Sequence, residues 1–195
     1  MNYLLTHLDD AWELTLIHLR LSLVPIVLGL LIAVPIGAVV QRTTQPRRVV
    51  TVIASIIFTI PSLALFVALT LYTSALLVRA VPEALDAVPG AVRDAAEAVG
   101  YTRLGQLVKI ELPLSLPVLV AGLRVVAVTN ISMVAVGSVI GIGGLGTWFT
   151  EGYQSDKSDQ IVAGIIAIFV LAVLIDVAIL LAGRLITPWA RVRTT

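Results

Sequence analysis

The sequence predicts an all-α integral membrane protein, a small bundle of spanning helices with one polar insert. Three observations predict it. Of 195 residues, 58% are hydrophobic and only 13% charged, about half the charge of a soluble domain. The charges are segregated, with none from Leu21 to Val40 and none from Val49 to Val78. Lys and Arg gather in some connecting segments and avoid others, which is how membrane proteins mark their cytoplasmic side. A soluble domain of this length cannot hide so much apolar surface, so lipid must be the solvent for most of it.

Residues 1–20 hold Asp9, Asp10 and Glu13 with no basic residue before them, and no small-residue cleavage site follows a short apolar core. They read as an outer N-terminal segment rather than a cleaved signal peptide. Residues 21–40 form the first span, long enough for a hydrocarbon core. Pro25, Gly29, Pro35 and Gly37 interrupt it, as spans tolerate when neighbours cover the freed backbone groups. Arg42, Arg47 and Arg48 follow without an acid, so this loop is expected inside. Residues 79–111 carry Arg79, Arg93, Arg103 and Lys109 and are also expected inside. Residues 112–144 form a span containing Arg124. The loop that follows has Lys157 against Glu151, Asp156 and Asp159, and is expected outside. Residues 161–183 form the last span, containing Asp176, and 184–195 are a basic cytoplasmic tail.

This assignment makes the run 49–78 begin and end on one side, so it must cross the membrane an even number of times. Two spans need roughly 40 residues plus a turn, and the run is too short for that. Either the hairpin is re-entrant or, as favoured, it is an incomplete two-span hairpin. Unseen residues with closed-up numbering are the favoured cause, and a true deletion the other.

Several chemistries are excluded or weakened. There is no cysteine, hence no disulfide framework or thiolate metal site. His7 and His18 are the only histidines, too few for a zinc site, and both precede the expected first span. The only lysines, Lys109 and Lys157, do not follow a glycine, so there is no P-loop, and ATP-driven work must fall to a partner. No cofactor is expected. Ser138 within a span lacks a nearby general base, which argues against an intramembrane protease. The glycines of Gly141-Ile142-Gly143-Gly144-Leu145-Gly146 are too many for a helix interior and suit a sharp turn at a span end. Trp148, Phe149 and Tyr153 follow as an outer aromatic belt, with Trp12 beside them and Trp189 at the inner interface. Arg124 either snorkels to the headgroups or makes a structural hydrogen bond. Asp176 faces the bundle interior, water or a functional path.

The insert is the most informative stretch. Pro89-Gly90 signals a turn, Ala91 to Val99 holds strong helix formers, and Gly100 suits the left-handed position that ends a helix. Thr102 suits the N-cap of a second short helix. Two short helices joined at a glycine corner are expected at the membrane surface. Ala95, Ala96 and Ala98 make one side small enough for close approach by another protein, and Asp94 and Glu97 offer charge to a basic partner.

Asp94-Ala95-Ala96, three residues, Gly100, nine residues, then Ile110-x-Leu112-Pro113 resembles the coupling motif of ABC-importer permeases, with Asp94 in place of the usual glutamate. Ile60-Pro61-Ser62-Leu63-Ala64-Leu65, Leu116 to Arg124 and Ile140 to Gly146 are similar to the glycine betaine/carnitine/choline permeases of that group. The resemblance carried by the segments flanking the hairpin implies about 20 residues missing near Phe66–Ala68. The resemblance implies the transmembrane domain of a type I ABC importer, with about five spans and short cytoplasmic coupling helices. It implies that Asp94, Ala95, Ala96, Glu97, Ala98, Gly100, Ile110, Leu112 and Pro113 form the ATPase-coupling site. Pro61, Ser62, Asn130, Ser132 and Met133 are the candidates for the translocation pathway. The implied partners are ATP-binding cassette ATPases, a second permease subunit (a copy or a paralogue), an extracytoplasmic binding protein and membrane lipid, without nucleic acid. The implied location is a bacterial or archaeal plasma membrane, with the N-terminus outside. The alternatives are the permease of a methionine-type amino-acid importer and, from another class, an ion-gradient-driven secondary transporter. The latter would need inverted repeats.

Overall fold

The computed structural model describes residues 2–40, 65–141 and 143–193, and among these every regular element is helical. A short helix α1 (Asn2–Thr6) precedes α2 (Leu8–Val40). The third, α3, spans Leu65–Asp86. The insert contributes α4 (Gly90–Ala98) and α5 (Arg103–Gln106). A π-helical turn, Leu107–Glu111, leads straight into α6 (Leu112–Gly137). Helix α7 (Thr147–Gln154) and α8 (Ser158–Ile186) complete the bundle. Among the described residues, three continuous runs are long and apolar enough to cross a membrane: Leu8–Ala38, Arg103–Ile140 and Ser158–Ile186. Helix α3, with 22 residues, reaches about 33 Å at 1.5 Å per residue.

Two boundaries differ from the sequence reading. The first span helix does not start at Leu21 but at Leu8, because Asp9 and Asp10 in its first turn complement the positive end of the helix dipole. His18 is therefore inside the helix and fully buried rather than ahead of it. The polar insert likewise begins later than residue 79: α3 runs on through Arg79 and Pro82 to Asp86, with Val81, Ala84 and Leu85 fully buried.

Close approaches set the directions of the helices. A Cβ built on Gly29 would lie 2.8 Å from Thr73, and one on Gly37 would lie 2.6 Å from Val81. Ala33, fully buried, sits between them at the same four-residue spacing. Gly29, Ala33 and Gly37 thus form a small-residue seam that lets α3 lie against α2, and the two helices run the same way. Helix α6 runs opposite to α3, since Asn130 bonds Thr73 while Gly122 faces Ala80. Helix α8 runs opposite to α6, since Arg124 pairs with Asp176 while Gly183 abuts Val120. Apolar packing joins these contacts: Ile26, Ala33, Leu77, Val78, Val126 and Ala127 form one core cluster, and Ile131, Leu145 and Leu171 another.

Pro61 and Ser62 lie outside the described residues. The expected break at Phe66–Ala68 is absent, because these residues lie inside the continuous helix Leu65–Asp86.

Candidate coupling site and transport path

The insert folds as its residues dictate. Helix α4 ends in a Schellman arrangement: the Gly100 N–H donates to Glu97 O at 2.9 Å and the Tyr101 N–H to Ala96 O at 3.1 Å. Gly100 holds φ +91°, which an L side chain rarely adopts. A Cβ there would meet nothing, so backbone strain alone explains the glycine. Thr102 caps α5 by accepting from the Gly105 N–H at 3.2 Å. Gly100→Ala should weaken this corner by about 1 kcal/mol. Faster hydrogen exchange at the amides of Gly100 and Tyr101 checks it.

The faces of α4 sort the coupling candidates. Asp94, Ala95, Glu97 and Ala98 are exposed, and Ile110, Leu112 and Pro113 are half-buried at the start of the next span. Ala96 is 5% exposed and packs inward. It is the underside of the helix and not part of a contact surface, a correction to the expectation that all three alanines face outward. The reason is geometric: Ala95 and Ala98 are three residues apart and share a side, while Ala96 is rotated about 100° from Ala95.

Charged groups under α4 fix it to the spans. Arg93 donates from Nη2 to Leu85 O at 2.6 Å and holds Nε 3.7 Å from the Glu111 carboxylate. Glu111 is 1% exposed, within the π-helical turn. These residues, with Asp86, Glu97, Arg103 and Gln106, surround a polar cavity of about 400 Å³. Arg93 thereby ties α4 to both the end of α3 and the root of α6. Sequence reasoning missed this strut, although a carboxylate beside the Ile110-x-Leu112-Pro113 positions was visible. It also missed the exposed apolar residues flanking the corner. Val99 (79% exposed), Leu104 (71%) and Val108 (53%) are exposed there.

The pathway candidates separate in the same way. Asn130 is fully buried. Its Nδ2 donates to Ser22 O at 3.2 Å and to Thr73 Oγ1 at 2.7 Å, so it joins α2, α3 and α6. One turn of α2 away, His18 Nε2 donates to Ile131 O at 2.9 Å. Ser138 gives its hydroxyl hydrogen to Ala135 O at 2.8 Å, so its bond and that of His18 both end on backbone carbonyls. Ser132 and Met133 are exposed on α6. Near them Arg124 and Asp176 meet in a bidentate pair, Nε to Oδ1 at 2.7 Å and Nη2 to Oδ2 at 2.6 Å. Both open readings of these charges resolve into one: each is the other's partner.

At the other end of the bundle, positive-φ Gly141 and Gly144 make the predicted sharp turn. Gly146 is packed so closely that a Cβ would strike Ala135 O. Trp148 is not part of a surface belt, as it is 3% exposed and stacks edge-on to Tyr3 at 5.5 Å. Trp12 and Tyr153 remain exposed.

Comparison with known proteins agrees with this geometry. The chain is 31% identical to the osmoprotectant import permease protein OsmW of Salmonella typhimurium, over 90% of this chain and 91% of that one. It is 30% identical to the choline transport system permease protein OpuBB of Bacillus subtilis, over 96% and 94%. Among solved structures, an inward-facing MetNI methionine ABC transporter chain superposes with a TM-score of 0.80 and 25% identity, covering 88% of this chain and 93% of that one. The OsmW alignment runs over 196 positions but takes in 90% of 195 residues, about 176, so about 20 positions face no residue here. The model of the binding-protein-dependent transport system inner membrane component family matches residues 21–192. With that match over nearly its whole length, on an all-helical fold shared with a type I ABC importer, the chain belongs to this family of ABC-importer permeases.

Proposed function

We propose that this permease imports quaternary ammonium osmoprotectants of the glycine betaine, choline and carnitine type, driven by separate ATPase subunits. The observation that carries the coupling is the exposed Asp94-Ala95/Ala98 face of α4, presented by the Gly100 corner and braced by Arg93. The substrate class rests on the names of relatives matched over nearly their whole length. Two ATPases dock on the insert, a second permease completes the pore, and a binding protein delivers substrate at the opposite face. The N-terminus and the loop with Lys157 lie outside, and the basic loops and tail lie in the cytoplasm. ATP-driven closure moves α4, and its tie to α3 and α6 converts that motion into alternating access.

The likeness to MetNI supports a second reading, a methionine-type importer. Uptake by the complex reconstituted in proteoliposomes separates the two. ATP-dependent accumulation of labelled glycine betaine, competed by choline or carnitine and not by methionine, is the expected result. Methionine uptake with no glycine betaine uptake would replace the first reading by the second.

A further inference from the structure

The Arg124–Asp176 pair has an unusual position. Both residues lie within helices that are long and apolar enough to span the membrane, yet their side chains are 34% and 29% exposed. A charged pair at such a depth is costly against hydrocarbon and faces water or protein instead. Beside it is a mostly apolar hollow of about 490 Å³ between α6, α7 and α8, walled by Ser132, Phe149, Phe169 and Asp176 among aliphatic side chains, with Arg124 adjoining it through Asp176 rather than lining it. That volume lies within the range of small-molecule sites. Phe169 is 68% exposed, and its ring is open to a ligand.

We propose that this hollow is a station for a zwitterion on the transport path. There Arg124 and Asp176 exchange their mutual contact for the ligand's carboxylate and its methylated ammonium. The chemistry is complementary group by group. A planar guanidinium accepts a carboxylate in the bidentate geometry it now uses for Asp176. A methylated ammonium is held by a carboxylate and aromatic faces, here Asp176 with Phe149 and Phe169. A zwitterion leaves neither protein charge without a partner. A plain cation such as choline would engage Asp176 and leave Arg124 alone, so this step favours glycine betaine and carnitine over choline.

The inference rests on the osmoprotectant reading, and its test separates the two. The experiment uses the whole complex, with ATPase and binding protein, in proteoliposomes. Arg124→Asp combined with Asp176→Arg keeps an ion pair between α6 and α8 but transposes its poles. Assembly with at least a tenfold loss of glycine betaine uptake is expected; assembly with near wild-type uptake would make the pair a strut and overturn the station. Phe169→Leu, at an exposed position, should lower glycine betaine turnover several-fold. Unchanged turnover would count against the station even if the transposed pair did not assemble. A Ser132→Cys complex supplies direct occupancy. Protection from a water-soluble thiol reagent by glycine betaine and not by choline supports the proposal. Equal protection by choline, or a thiol that never labels because a neighbouring subunit covers it, overturns it. If wild-type complex imports methionine and no betaine, the substrate reading falls and the station with it. If wild type imports betaine and the variants match it, the station alone falls.

Discussion

Tryptophan in place of Ala98 is expected to leave the permease inserted and folded while reducing ATP-dependent uptake to background. Ala98 is exposed on α4 and shares a side with Ala95, next to Asp94. Its side chain is exposed, so the bundle has no reason to change. A partner seated against two alanines is packed to native density, and a bulky ring there forces it away. The measurements are co-purification of the ATPase and uptake per ATP hydrolysed. The same substitution at Ala96 would be uninformative, because Ala96 is buried against its own chain and an indole there would disturb the insert. Full coupled transport by Ala98→Trp would remove α4 from the ATPase contact.

Asn130→Ala should have the opposite profile, a loss of stability with substrate choice unchanged. Asn130 is fully buried and exchanges hydrogen bonds with Thr73, since Thr73 Oγ1 also donates to Asn130 Oδ1 at 3.1 Å. Its removal leaves the Thr73 hydroxyl and Ser22 carbonyl short of a partner and opens space among three helices. Each hydrogen bond between membrane helices is modest, so the total with the lost packing comes to about 2 kcal/mol. A lower unfolding midpoint of the detergent-solubilised complex, with unaltered substrate competition in the assembled fraction, checks this. Altered substrate preference at unchanged stability would return Asn130 to the transport path.

What was legible in the sequence was what depends on local chemistry. Charge-free runs marked the spans, and Gly100 and Thr102 marked the corner of the insert. The Gly29, Ala33 and Gly37 seam was present in the sequence too, but as helix interruptions rather than as an interface. What was not legible depends on contacts between distant segments. Arg124 and Asp176 are 52 residues apart, and their pairing follows only from the antiparallel packing of α6 and α8. Ala96 faces inward, and Trp148 is buried, because neighbouring elements cover them. His18 belongs to a span because the helix extends outward through its acidic first turn. The strut from Arg93 to Leu85 and Glu111 joins three elements that no spacing rule connects.

The central claim is that α4 is the ATPase contact and lies across the membrane from α7. A photo-crosslinking residue at Ala98, on α4, and another at Tyr153, 82% exposed on α7, test it in one experiment on the assembled complex. Capture of the ATPase from position 98, and of no ATPase from position 153, is the predicted result. Capture from position 153, or from neither position in a complex that still contains the ATPase, would contradict it.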